Sequence, residues 1–489
     1  MIGFDGKIVQ FGFGAVGKSF YEKVAGEIRY DEKKYFVITK DPDEFEAYIF
    51  LNGLASNFII SEITKDNYRA EFEKYLSGGD LLIDFADTVG TRDICEWCAK
   101  KNIMYINTGD ADWPENWPNV LEHNKALMRI QEEYQNSSVI NKVPIVLQHG
   151  NNPGLVSHFV KAGIEYIANN QFKRDKQLIT LIRQGLFNEA ANYLKIRMIH
   201  VNDIDLQEFH FKYDDNTLIN TWCIDSFLYE ILTEASLNIG THEDAVFDDA
   251  CKPPDPVSGF LEFEKLAAEK KCRTYYPGGV FEGYLVPHDE TVTIAKNLEV
   301  IRDGKLIDRP SVMFVYAPCR FASSYLSSAK VNEYPNPDPS KPPDCENDSE
   351  RSIVRGYVYP ENAEIVHKDD IESGTEYVGV LLIGENFKPV WVGNRLELSF
   401  LNKSSRRSYW QTPTITPVSM SALAAVCWMI GNKDKGGIYF PDDISDHKDI
   451  LKTAEKYISK TIYKTFETDT LAKALNIDYS NIRANDFFV

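Results

Sequence analysis

Residues 7–26 read KIVQFGFGAVGKSFYEKVAG: an apolar run, Lys7 to Phe11, breaks into Gly12-Phe13-Gly14-Ala15-Val16-Gly17 and resumes at helical spacing from Ser19 to Ala25. Strand, glycine turn and helix in that order are how a dinucleotide-binding βαβ unit begins, and each glycine has its own mechanical task. Gly12 lets the strand turn sharply, Gly14 lets the backbone approach a pyrophosphate, and Gly17 lets helix and strand pack closely. Ala15 and Val16, between the glycines, are candidate cofactor contacts, and the unpaired N–H groups and dipole of the helix N-terminus face the phosphates. Gly26 is placed at the helix C-cap. A second strand pattern follows at Tyr35 to Thr39 (YFVIT), and Asp41 stands 24 residues beyond Gly17, where an acceptor for the ribose hydroxyls belongs. That carboxylate favours NAD over NADP, while Lys40 beside it keeps NADP open. Glycine-rich turns between strand and helix also serve folding alone.

Outward from this turn the alternation continues. Strand-like segments recur at Asn57 to Ile60, Leu81 to Phe85, Met104 to Ile106 and Ile145 to Leu147, with helical stretches at Asp66 to Leu76 and Thr91 to Lys101 between them. This predicts an α/β fold over residues 1–148, a Rossmann-type doubly wound parallel sheet. Asp87, Thr88, Thr108 and Asp110 fall at presumed carboxyl ends of its strands, where such sheets bind ligands, and are candidates to line a cofactor site. From about Gln148 the texture changes to longer helices (Leu155 to Ala168, Ala190 to Ile196) followed by strand-like segments at Met198 to Leu206, Leu218 to Cys223 and Tyr377 to Ile383. Residues 149–390 are therefore expected to form a second, α+β substrate domain. Within it, 332–350 holds five prolines among many charges and is assigned to a surface excursion. The last segment, 391–489, carries a small-residue helix pattern from Thr416 to Ile430 and is expected to return and pack on the first domain.

With 489 residues, 43% of them hydrophobic and 12% aromatic, the chain can bury the cores of two or three domains. A basic leader followed by an apolar core is missing at the N-terminus, and the run from Ala422 to Ile430 is far short of the roughly 20 residues that span a bilayer. A cytoplasmic location is expected. The 53 basic against 73 acidic residues give a net charge of −20, which repels nucleic acid and anionic membranes and would concentrate a polyamine. Cys95 and Cys98 lie close together in CEWCAKK, but no second pair or histidine has zinc-ligand spacing, so no metal is expected.

His149-Gly150-Asn151-Asn152-Pro153-Gly154-Leu155-Val156-Ser157-His158 sets small and polar residues between a strand and a helix. It is either a ligand-lining loop or an ordinary tight turn, since Asn-Pro-Gly is strong turn chemistry. Together with the glycine loop, the segments HGNNPGLVSHFVK (149–161), IHVNDIDLQ (199–207), NTWCIDSFLYE (220–230), PGGVFEGYLVPHDE (277–290) and the late PVSMSALAAV (417–426) resemble the bacterial homospermidine synthases, within the saccharopine dehydrogenase-like group. The resemblance covers most of the chain. It implies a tightly held NAD and a homodimer, with the second domain also serving dimerisation. It also implies a redox-neutral cycle: one putrescine is oxidised to an imine, a second amine displaces ammonia, and the new imine is reduced to sym-homospermidine by the same NADH. Spermidine is a second candidate donor.

Carried onto this chain, the resemblance gives Trp222 an aromatic face for an ammonium or iminium ion. Glu230, eight residues later, would converge on the same pocket if Trp222 ends a strand and Glu230 sits on the next helix. Asp203 would hold the distal ammonium of a diamine, one methylene shorter than the glutamate the family leads one to expect. His288 would be a polar pocket residue or proton shuttle, and Asn152 would orient an amine or the nicotinamide amide. Taken singly, Trp222 would be core, Asp203 and Glu230 solvated acids, His288 a loop residue and Asn152 a turn former. Two rival functions stand beside the transferase. A saccharopine or carboxyspermidine dehydrogenase-like oxidoreductase using free NAD(P)H would bind carboxylates and call for pocket arginines, whereas the candidate segments hold acids and an aromatic. A non-enzymatic NAD-binding regulatory or scaffold protein would leave Trp222, Glu230 and His288 without a joint role.

Overall fold

The apolar run before the glycines forms the strand Ile8–Phe11, buried at all four positions, and the helix Ala15–Glu27 follows it directly. In the computed structural model every residue is described except 87–88, 114–119, 136–141, 210–216, 245–246, 252–253, 329–352, 355–356, 359–361, 367 and 405–409. Asp87, Thr88 and the 332–350 segment thus lie outside the described residues. The chain divides into two units, one made of residues 1–158 and 401–458, the other of 159–400 and 459–489.

The first unit is built on a seven-stranded sheet in the order Gly437–Tyr439, Pro144–Val146, Met104–Asn107, Leu81–Asp84, Ile8–Phe11, Tyr35–Thr39, Phe58–Ile60, with every pairing parallel. Strands covered on both faces need continuous apolar runs rather than alternation, which is how YFVIT and LLID read. Strand order reverses between Ile8–Phe11 and Leu81–Asp84, and a crevice at the carboxyl ends of that pair is where doubly wound sheets bind ligands. The helix Ile415–Gly431 is buried on almost all sides and packs on Ala15–Glu27, with Ser419 Oγ 2.6 Å from Ser19 Oγ.

Two local expectations are corrected. Gly26 does not cap its helix: the helix runs to Glu27 and ends at Ile28, whose extended backbone passes straight into the strand Ile28–Arg29. Residues 391–489 do not return as one piece. Residues 401–458 join the first unit, and 459–489 join the second, because Ile462–Thr465 pairs with Val390–Glu397 and the apolar Phe466, Leu471, Leu475, Ile482 and Phe487 complete the second core.

The second unit is α+β, organised on a mixed sheet whose middle strands are Ser311–Ala317, Ile196–Asp205 and Thr375–Gly384. Ser311–Ala317 runs parallel to Ile196–Asp205, which runs antiparallel to Thr375–Gly384. Alternation along these strands separates two faces. Met198, Met313, Val315 and Leu381 face one core, while the register opposes Asp203 to Tyr316 and Val201 to Phe314 on the other face. Among the described residues no helix is long and apolar enough to cross a membrane.

Candidate functional site

In the first unit the glycine loop has the shape its sequence predicts. Gly12 has φ +88°, and a Cβ there would lie 2.9 Å from the Phe85 carbonyl carbon; a Cβ on Gly17 would lie 2.5 Å from the Gly12 carbonyl oxygen. Both positions therefore require glycine. A Cβ on Gly14 would meet nothing within 4 Å, and Gly14 and Ala15 are exposed, so the backbone at the helix start is open to a ligand. Between the glycines, Phe13 is buried and packs edge-on against Tyr21 and Tyr48 at 5.7 and 5.6 Å between ring centroids, which anchors the loop. Asp41 stands exposed at the end of Tyr35–Thr39, where one carboxylate oxygen accepts from the Asp43 amide at 2.9 Å. The open loop, the free helix N-terminus and this exposed acid fit a dinucleotide carrying an unphosphorylated ribose.

Beyond the fifth strand of the chain's first sheet, two loops are tied together. The Asn107 side chain accepts from the Gln148 amide at 2.7 Å and donates to Asp110 at 3.2 Å; the Gln148 side chain donates to Asp110 and, at 2.9 Å, to Asn124. Burial pushes the Asp110 carboxyl up to about 7, against the hydrogen bonds from Gln148 and Asn107. Thr108 is half-buried in the first of these loops, its carbonyl close under Gly150. The second loop folds back on itself: the Gly150 amide donates to the Pro153 carbonyl at 2.8 Å, and Gly154, at φ +135°, has no room for a Cβ. Asn152 is half-buried in this turn, joined to Pro153 by a cis peptide bond. His149 sits fully buried between His158 Nε2 and Ser421 Oγ, both at 3.0 Å, and burial pulls its imidazole down to about 4, so it is a neutral structural group.

In the second unit the other candidates converge. The strand Thr217–Asn220 ends before Trp222, which lies in the bend leading to the helix Ile224–Ile231 that carries Glu230. Trp222 donates its indole N–H to the Tyr316 hydroxyl at 2.9 Å, and Phe227 packs edge-on against both rings. Tyr316 is itself the sheet partner of Asp203, which is buried. His288 precedes the helix Asp289–Asn297, and its carbonyl accepts from the Thr291 amide and hydroxyl; Asp289 and Glu290 in the first turn suit the positive end of the helix dipole. The imidazole stacks on Phe314 at 4.2 Å, bonds through Nδ1 to a Glu290 oxygen, and presents Nε2 to Glu230 at 3.8 Å.

Charge decides what these groups can do. Burial pulls the His288 imidazole down, but Glu290, Glu230 and Asp289 together outweigh it and hold it at about 10, an imidazolium at neutral pH. Burial raises Glu230; His288 partly offsets this, Glu290, Asp289 and Asp203 add to it, and the carboxyl stands at about 7. Of the two, Glu230 is poised to gain and lose a proton near neutrality. Glu290 is completely buried; one oxygen bonds His288 and the other has no hydrogen-bond partner among the described residues. Glu290, Tyr316 and Phe314 are not among the residues to which the sequence points. The two-residue step from His288 to Glu290 is a local signal for the first; the others arrive by strand register.

Residues 8–141 match the family model of the saccharopine dehydrogenase NADP binding domain. Homospermidine synthase of Blastochloris viridis is 25% identical over 474 residues, spanning 94% of this chain and 91% of its own; that of Mesorhizobium japonicum is 24% identical over 476 residues, 95% and 90%. Among solved structures, homospermidine synthase of Legionella pneumophila in complex with NAD superposes with a TM-score of 0.79 at 22% identity, covering 95% of this chain and 92% of its own. Apo saccharopine dehydrogenase (L-Glu forming) of Saccharomyces cerevisiae shares the fold at a TM-score of 0.52 and 10% identity, covering 94% and 100%. Along nearly its whole length the chain is thus similar to homospermidine synthases, and over residues 8–141 to the NADP binding domain of saccharopine dehydrogenase.

Proposed function

We propose that the chain is a homospermidine synthase, joining two putrescines to sym-homospermidine with release of ammonia. The observation that carries this is the second oxygen of Glu290, fully buried and lacking a protein partner among the described residues, in a cluster where His288 is the one cation beside Glu230, Glu290 and Asp289. A buried carboxylate oxygen demands a donor, and an amine supplies one. Substrates of the rival dehydrogenases carry carboxylates, which this cluster would repel. The full-length similarity to homospermidine synthases favours the transferase as well.

NAD, held by the Gly12–Gly17 loop, the start of the helix Ala15–Glu27 and Asp41, would supply a hydride acceptor for the carbon bearing the amine and, once reduced, a hydride donor for the new imine. NAD rather than NADP suits Asp41, whose carboxylate would repel a 2′-phosphate. Before the hydride leaves, the amine must lose its proton, because an ammonium has no lone pair to stabilise the developing iminium. Glu230, at about 7, is the acceptor we assign. His288 stays charged, balances part of the acidic field, and holds Glu290 in place. Trp222, fixed by its bond to Tyr316, turns an aromatic face to the cation, and Asp203 receives the distal ammonium of the diamine. These interactions speed the reaction insofar as they strengthen as positive charge develops. Asn152 orients the amine or the nicotinamide amide. A homodimer in the cytoplasm accompanies the proposal.

Incubating the purified chain with putrescine and catalytic NAD should yield homospermidine and ammonia by mass spectrometry. Stoichiometric NADH without triamine would defeat the proposal and restore the dehydrogenase alternative.

A further inference from the structure

Gln10 is the one polar side chain in the strand Ile8–Phe11, and it is fully buried. Its Nε2 donates to the Gly12 carbonyl at 3.1 Å and to the Gly17 carbonyl at 3.0 Å, while its Oε1 accepts from the Tyr35 hydroxyl at 2.7 Å. Carbonyls only accept, so the two glycine oxygens fix the NH2 end of the amide toward the loop and leave the oxygen for the phenol. Burial, with Tyr30, Tyr21 and Tyr48 nearby, holds the Tyr35 phenol protonated and therefore a donor. One amide thus bridges the entry of the glycine turn and the first turn of the helix behind it. A Cβ on Gly17 would come within 2.8 Å of that nitrogen, so the third glycine makes room for the amide as well as for the strand. In the primary sequence Gln10 is merely a polar interruption of an apolar run.

We infer that Gln10, held by Tyr35, is a positioning residue for the dinucleotide: it fixes the spacing of Gly12 from Gly17 and so aims the helix's first N–H groups at the phosphates. This rests on the NAD site proposed above and goes beyond it, because neither side chain faces the ligand. The consequence is kinetic retention of cofactor. A loop that must be reordered with each binding event releases its ligand faster, and affinity differences among variants of one site lie mostly in the off-rate.

The test is the dissociation of labelled NAD from the full-length chain, chased with unlabelled NAD. Tyr35→Phe keeps the ring against Tyr21 and Tyr30, at 5.1 and 5.0 Å, and removes only the hydroxyl. It should release NAD about ten-fold faster, the scale of one lost buried hydrogen bond. Gln10→Leu, lacking both donors, should release it faster still, and Gln10→Glu, which sets carboxylate oxygens against two carbonyls, fastest. Val37→Ala, a cavity on the same strand as Tyr35, should lower the melting temperature and leave the off-rate within about two-fold. Wild-type off-rates in Tyr35→Phe and Gln10→Leu would overturn the positioning role with the NAD site intact. Equal acceleration by Val37→Ala would reduce the effect to general destabilisation and also overturn it. A wild-type chain that retains no NAD would refute the site and the inference together.

Discussion

Replacing Glu290 by glutamine removes one charge from the interior of the second unit while keeping the side chain's size. Glu290 is the chief reason the buried His288 is charged: burial alone would drive its imidazole below 6.5, yet it stands at about 10. That displacement is worth on the order of 5 kcal/mol at 1.36 kcal/mol per unit. Glu230 and Asp289 share in it, so about 3 kcal/mol falls to Glu290, in line with the cost of breaking a buried pair. Because the folded-state value lies above the unfolded one, this stabilisation is fully present below pH 6.5 and is lost as the pH rises through about 10. Thermal unfolding of both proteins should therefore be followed from pH 6 to 10.5. At roughly 2 °C per kcal/mol for a body of this size, Glu290→Gln should melt about 6 °C below the wild type at the acid end. The gap should close toward the alkaline end. Ring NMR should show the wild-type imidazole still mostly protonated at pH 9 and the variant's mostly neutral there. A gap independent of pH, or a wild-type imidazole titrating near 6.5, would refute the reasoning.

Two further outcomes are expected. Glu230→Gln should lower kcat/KM by about 10²-fold and abolish the limb on which activity rises through pH 7; since this carboxyl is raised in the fold, the wild type should also lose stability relative to the variant as pH climbs from 4.5 past 7, and a preserved acid limb would remove Glu230 as proton acceptor. Trp222→Ala should lose about ten-fold more activity than Trp222→Phe with NAD content unchanged, as a cation–π contact of roughly 0.5–2 kcal/mol requires, whereas equal losses accompanied by loss of cofactor would make the tryptophan a core residue.

What could be read from the primary sequence was local. The glycine loop and the strands Tyr35–Thr39 and Leu81–Asp84 declare themselves because steric demand at Gly12 and Gly17 and continuous apolar runs are written in neighbouring residues. The misplaced C-cap at Gly26 is equally local: glycine is a common terminator, but an extended Ile28 ends a helix just as well. Trp222, Glu230 and His288 came from resemblance, since none stands out by spacing. Tyr316 is not legible in the sequence because its partnership with Trp222 spans 94 residues and depends on the register that sets it beside Asp203. Glu290 was hidden by ordinariness: an acid in a helix's first turn needs no explanation until it is found completely buried.

The seventh strand of the first sheet, Gly437–Tyr439, and the helix that covers Ala15–Glu27 come from a stretch, 401–458, that leaves the ribosome only after residues 159–400 have been made. The glycine loop is thus synthesised long before the segment that completes its surroundings. While the intervening 242 residues, 159–400, emerge and form most of their own unit, the strand Pro144–Val146 presents an unpaired edge and the first helix an uncovered apolar flank. Exposed edges and apolar flanks of this kind recruit chaperones or other nascent chains. A fragment ending near residue 158 would inherit that condition permanently, so the nucleotide-binding half cannot be harvested by cutting the gene after its signature motif; its two pieces must be expressed together or rejoined.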